Sequence, residues 1–175
     1  GYTGGIAVEG GTALHSFFNL WKAFPGVEKK QIVRGIPEEF IQRLYKLGGT
    51  AGHPEMDIYY DYDSVCTNID TEIYKHLSLQ MLVEAGVKLY LNTMVVGVFK
   101  EGARIDAIIV ESRSGREVLK GKTFVDATGY GDLSAQAGAD YTEPNDYAVV
   151  NSMGVGGVSM EGFKEFLEKN GGLGQ

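Results

Sequence analysis

The sequence predicts an α/β fold, with helices packed on sheet and a β-meander covering one side. Three observations carry that expectation. Two segments in the first half of the chain repeat apolar residues at helical spacing. From Val87 onward the apolar period shortens to two. A short apolar stretch, Thr123 to Thr128, then runs into two closely spaced glycines and another helical segment.

The first helix is expected over Pro37 to Leu47. Pro37 suits a first helical turn, where its missing N–H costs nothing. Glu38 and Glu39 follow, favourable at the positive end of the dipole. Ile36, Phe40, Leu44 and Leu47 form a stripe, and Gly48-Gly49 ends it. The second helix opens at Asp70, a good N-cap. Ile73, Leu77, Met81 and Ala85 fall four apart, and Gly86 is the stop.

Val87, Leu89 and Leu91 then alternate with polar neighbours as a strand, and Met94, Val96 and Val98 continue as another. Glu101-Gly102 reads as a hairpin turn into a strand over Arg104 to Glu111. Ser114-Gly115 turns the chain into Arg116 to Leu119. Thr123 to Thr128 reads as a strand buried on both faces, followed by a short helix over Leu133 to Ala137. A strand over Ala148 to Val158 and a helix over Met160 to Lys169 complete the set. Gly1 to Gly11 is a glycine-rich loop, and Leu14 to Phe24 is a helix or an irregular buried segment. Thr50 to Asn68 is polar and irregular, with Tyr59, Tyr60 and Tyr62 at its centre.

Composition narrows the function. The chain has 175 residues, 43% hydrophobic and 22% charged, which is a globular rather than a disordered profile. A net charge of -7 disfavours nucleic acid and anionic membrane, which both require a basic surface. The single cysteine, Cys66, excludes an internal disulfide and any multi-cysteine metal site, and a reducing cytoplasm fits. No apolar run reaches the roughly 18 residues of a membrane span. The chain opens Gly1-Tyr2-Thr3 and closes Gly171-Gly172-Leu173-Gly174-Gln175, so both ends read as cuts inside a longer protein.

The chemistry is expected where Phe124-Val125-Asp126-Ala127-Thr128 meets Gly129-Tyr130-Gly131-Asp132. A strand feeding a helix N-terminus presents free N–H groups and positive partial charge. Gly129 and Gly131 would let a ligand approach the main chain. The competing reading is a structural turn in which Asp132 only caps its helix.

This order of motifs resembles the FAD-dependent oxidoreductases, relatives of the glutathione-reductase and fumarate-reductase flavoproteins. The resemblance rests on the helix Asp70 to Gly86, the segment Val87 to Val98, the meander, and Phe124 to Asp132. It extends to Gly10-Gly11-Thr12-Ala13, to Val33-Arg34-Gly35-Ile36-Pro37-Glu38-Glu39, and to Val155-Gly156-Gly157-Val158. The resemblance implies a partial FAD-binding domain of Rossmann-like, glutathione-reductase type. Residues 1–145 would belong to it, and 146–175 would begin a substrate domain or connecting segment. The family's first βαβ unit, with its Gly-x-Gly-x-x-Gly fingerprint and acidic ribose ligand, is not in the chain.

Position by position, the resemblance places Val95 where the main chain meets the adenine edge. It places Thr128 and Gly129 beside the adenosine and pyrophosphate, with Ala127 and Gly131 also among the cofactor-binding residues. Asp132 would reach a ribityl hydroxyl or a phosphate-bound water, since a carboxylate does not sit directly on phosphate. Gly10, Gly11 and Thr12 would pass near the flavin. The implied reaction is hydride transfer between a small organic substrate and the flavin, with the electron partner unassigned. The alternatives are a flavin-free binding or structural module of the same fold, and a flavin-dependent monooxygenase.

Other candidates read as ordinary residues. His76 is expected at a helix surface and His53 in solvent; His15 follows the glycine loop, with a weak case for a catalytic role. No metal site is expected, although His53, Glu55 and Asp57 alternate. Arg34 reads as a helix-flanking surface residue rather than a carboxylate clamp. The tyrosine cluster is explained by burial of a long loop, and Cys66 has no basic neighbour to activate it.

Overall fold

The computed structural model describes residues 1–9, 14–18, 30–55, 65–143, 146 and 155–171. Gly10, Gly11 and Thr12, the tyrosines at 59, 60 and 62, Asp57, and most of the expected strand at 148–158 lie outside the described residues. The chain divides into two units: Tyr2–Val87 with Val150–Gln175, and Lys88–Val149 with Gly1. Helices and antiparallel sheet are mixed, consistent with the α/β class.

The first unit is built on helices α1 (Ile36–Lys46) and α2 (Thr71–Glu84), with a small antiparallel pair, β1 (Leu14–His15) and β2 (Thr67–Asn68). α1 starts with Pro37 in its first turn and Glu38 and Glu39 at its positive end, as the sequence predicts. It ends where the Gly49 N–H reaches back to the Leu44 carbonyl at 2.9 Å. Gly49 is buried, and a β-carbon there would lie 2.7 Å from Leu44 Cδ1 and 3.0 Å from Ile73 Cγ2. Only glycine lets the loop pass so close to both helices. The Gly49 carbonyl then accepts from the Asp70 N–H at 2.7 Å, tying the end of α1 to the start of α2.

Asp70 caps α2 as expected. Its carboxylate accepts from the N–H groups of Glu72 and Ile73, both at 2.9 Å. The core gathers Ala7, Val8, Phe17, Ile41, Leu44, Ile69 and Leu77. The stripe on α2 holds at Ile73, Leu77 and Met81, while Ala85 is an exposed C-cap. On α1 the expected stripe holds at its centre and fails at its ends. Leu44 is buried with Phe40 beside it, and Ile41 joins them, whereas Ile36 is 74% and Leu47 47% exposed. Ile36 is the first residue of the helix and Leu47 its C-cap. α4 (Met160–Asn170), capped by Ser159, matches the last expected helix and buries none of its residues.

The second unit is a three-stranded meander, β3 (Met94–Glu101), β4 (Arg104–Ser112) and β5 (Gly115–Lys120), in the order β3-β4-β5. Both hairpins fall at the expected turns, closing at Glu101↔Arg104 and Ser112↔Gly115. The central strand buries Ala107 and Val110. α3 (Asp132–Gln136) lies against β3. The Gln136 side-chain amide donates to the Val95 carbonyl at 3.2 Å, and Lys100 Nζ donates to the Ala137 carbonyl at the negative end of α3.

Two expected strands do not form. Residues 87–91 are irregular and end in a turn, where Asn92 takes φ 53°. Among the described residues no strand lies alongside them to accept a ladder. Residues 123–128 are likewise unpaired, and Val125 is 83% exposed rather than buried. Apolar alternation identifies a strand only when a neighbour completes its hydrogen bonds.

Leu44 is fully buried, so Leu44→Ala should destabilise the chain by about 2–5 kcal/mol. The exposed Ile36→Ala should change stability by no more than about 0.5 kcal/mol. Urea unfolding followed by circular dichroism checks both, and equal effects would refute the burial of Leu44 against the exposure of Ile36.

Candidate cofactor site

The turn between residues 126 and 134 is organised by one side chain. Asp126 Oδ1 accepts from the Thr128 N–H at 3.1 Å and from the Thr128 hydroxyl at 2.7 Å. Its Oδ2 accepts from the Ser134 N–H and hydroxyl, both at 2.8 Å. The Thr128 hydroxyl in turn accepts from the Asp132 N–H at 2.9 Å. Donation from the Ser134 backbone and the Thr128 hydroxyl, with the other two bonds, holds the Asp126 carboxyl far below the usual carboxylate range.

This arrangement changes the meaning of the glycine turn. α3 is only five residues long, and Gly131, in the left-handed conformation, is its N-cap. Asp132 is therefore the first helical residue and not the cap. The carboxylate that occupies the helix start is the protein's own Asp126, so two of the local N–H donors are already used. The expected anion cradle is correspondingly smaller. Gly129 has φ 89° with no atom within 4 Å of a β-carbon placed there, so its freedom serves the bend and leaves open space above it.

Beside the turn lies an open cavity of about 540 Å³ bordered by Tyr130, Gly131, Asp132, Ser134, Asp140 and Tyr141. Thr128, Gly129 and Asp132 are exposed, and Tyr130 is 95% exposed. Acidic side chains on this border repel a bare phosphate but accept hydrogen bonds from hydroxyls. The residues present suit the ribose and ribityl hydroxyls of a dinucleotide such as FAD better than its phosphates.

Val95 stands in β3 opposite Val110, just before a register shift that precedes Gly97. Its carbonyl already accepts from Gln136. The structure thus brings Val95 close to α3 through Gln136. Ala127 lies in the exposed segment before the turn. Gly10, Gly11 and Thr12 lie outside the described residues. Asp126 and Ser134 are the organising residues that the sequence reading passed over. The spacing Asp-x-Thr, a carboxylate two residues before a hydroxyl and an N–H, was the available signal.

Three other polar sites come into view. His53 is not in solvent, because its side chain is only 14% exposed. Nε2 lies 2.9 Å from a Glu38 oxygen, and Nδ1 contacts the Thr67 hydroxyl. An ionised carboxylate only accepts, so Nε2 is the donor. Partial burial pushes the Glu38 carboxyl up, but bonds from Gln42, His53 and Gln31 outweigh it and hold it below the usual range. Hydroxyl, imidazole and carboxylate line up as in a nucleophile relay. Thr67 is 0% exposed, however, so no substrate reaches it and the array is structural.

His15 lines a separate cavity of about 270 Å³, and its buried Nε2 has no hydrogen-bond partner among the described residues. An unmet buried nitrogen of this kind costs about 1–3 kcal/mol. Arg34 is exposed and donates to the Gln31 carbonyl, the surface role expected of it, and His76 is exposed as well. No group of three metal-binding side chains and no helix long and apolar enough to cross a membrane occurs among the described residues.

A family model described as FAD dependent oxidoreductase matches residues 1–169, and the chain belongs to that family. Its members are FAD-dependent, which makes FAD the cofactor and oxidoreduction the general chemistry. No curated protein and no solved structure matches the chain.

Because the folded Asp126 carboxyl is depressed, its stabilisation is complete above the unfolded value of about 3.9 and is lost as the pH falls below it. Hydrogen exchange at the Thr128 and Ser134 amides, measured on stepping from neutral to acid pH, should show this loss. Asp126→Asn should exchange fast at both sites already at neutral pH. Slow exchange in that variant would show that the carboxylate does not lock the turn.

Proposed function

We propose that this chain forms one wall of the FAD site in an oxidoreductase that passes a hydride between a small organic molecule and flavin N5. The observation that carries the reading is the Asp126-locked turn, which holds Tyr130, Gly131 and Asp132 at the edge of an open cavity. Family membership supplies the cofactor. When bound, the flavin supplies the electron chemistry.

The chain's own residues position and exclude. Thr128, Gly129 and Gly131 offer close backbone approach to the adenosine end, with Ala127 leading into them. Asp132 accepts from a cofactor hydroxyl or a bridging water. Val95, pinned by Gln136, sets the edge of β3 beside α3, where the adenine edge would rest. Gly10, Gly11 and Thr12 pass near the flavin in the same reading. The finer fold is a partial glutathione-reductase-type domain over 1–145, with 146–175 opening a substrate domain or connection. No residue is assigned as catalytic acid or base.

The chain carries no Gly-x-Gly-x-x-Gly fingerprint, and Asp126 takes the Ser134 N–H at the start of α3 while Thr128 takes that of Asp132. The 175-residue chain alone is therefore expected to bind FAD weakly and to show no turnover. Titration with FAD, followed by flavin fluorescence, should show no saturation in the micromolar range. Purification with stoichiometric yellow flavin would overturn the weak-binding reading. Gly129→Val in a longer protein that does hold FAD should lower flavin occupancy, and unchanged occupancy would remove the turn from the site.

A further inference from the structure

The cavity beside His15 lies in the unit that does not contain the Asp126 turn. Its walls are largely apolar and aromatic, with Phe17, Val33, Pro37, Phe40, Ile41 and Tyr74, and its polar members are His15 and Ser16. The His15 ring lies nearly parallel to Tyr74, 6.2 Å between centroids and 19° between planes, and Phe40 packs against Tyr74 at 4.4 Å. These rings pack against one another and give the cavity an aromatic wall.

Among the described residues, the buried side-chain polar atom without a hydrogen-bond partner is Nε2 of His15. A buried polar atom in a native fold calls for a partner, and small-molecule sites join apolar walls to a few such groups. Nε2 is shielded as the ring stands, so a ligand would reach it by a turn about the Cβ–Cγ bond, a torsion with a broad profile. We infer that this cavity binds a neutral, ring-bodied molecule bearing a hydroxyl group, of the phenol class, with His15 Nε2 as its hydrogen-bond partner.

The hydroxyl follows from the chemistry of the ring. Imidazole Nε2 is a donor in one tautomer and an acceptor in the other. A hydroxyl satisfies either, whereas a ketone satisfies only the first. A carboxylate would gain charge compensation only from an imidazolium. Burial lowers the His15 pKa and keeps the ring neutral. The chain's net charge of -7 further disfavours an anion. Burial likewise raises the Tyr74 phenol, so that wall stays uncharged.

The test uses the 175-residue chain without flavin, so its result is separate from the FAD reading. Phenol, benzene and benzoate are titrated in turn while the His15 and Tyr74 ring signals are followed by NMR. Phenol should saturate and shift both rings, with benzene and benzoate each bound about tenfold more weakly. His15→Phe should weaken phenol about tenfold and leave benzene unchanged, while His15→Gln, which keeps a hydrogen-bonding group, should fall between. Phenol that fails to saturate, or benzoate that binds more tightly, would overturn the proposal. If His15→Phe does not fold, the contrast in the unaltered chain still decides, since equal affinity for phenol and benzene leaves no role for Nε2.

Discussion

An aspartate carboxylate accepting main-chain N–H groups at the start of a helix is the interaction on which each unit depends. Asp70 does this for α2, and Asp126 does it for the turn that leads into α3. A helix start leaves backbone donors unmet; Asp70 meets two of them in α2, and Asp126 meets one in α3, that of Ser134, together with the Thr128 N–H of the preceding turn. In the first unit the same junction receives the end of α1, because the Gly49 carbonyl bonds the Asp70 N–H. In the second, the Asp126 bonds draw Thr128, Asp132 and Ser134 into one closed ring of contacts.

That ring limits what the glycine turn does chemically. A free helix N-terminus would favour an anion. Here an internal anion is already in place and the helix has little more than one turn. Gly129 and Gly131 therefore contribute shape rather than charge. The exposed groups left at the cavity are Asp132, Tyr130 and neighbouring acids, partners for hydroxyls rather than phosphates. Family membership gives FAD as the cofactor.

Polar burial in the first unit shows two opposite outcomes. His53 has both ring nitrogens met, by Glu38 and by Thr67, and is enclosed by Phe17 and Phe18. Its relay-like geometry is closed to substrate because Thr67 is fully buried. His15 is the reverse, a ring beside open volume with one nitrogen unmet. Satisfied polar groups rigidify a core, while an unmet one next to a cavity marks a place for a ligand.

The sequence by itself determined whatever depends on neighbours in the chain. The caps at Asp70 and Ser159, the proline start of α1, and the two hairpin closures are local events, since a cap or a tight turn involves residues only a few positions apart. Family resemblance was legible in the order of those same motifs. Tertiary structure alone decided which alternating segments became strands, because a ladder needs a partner that periodicity does not name. Residues 87–91 alternate and 123–128 form a short apolar run, and among the described residues neither has a strand partner. Tertiary structure also decided that the α1 stripe is buried at its centre and exposed at its ends, and that His53 meets Glu38 and Thr67, contacts made across 15 and 14 positions. The Asp126 lock lay between these cases. Its contact with Thr128 is a short-range Asx pattern, but its grip on Ser134 exists only because the turn folds back eight residues later.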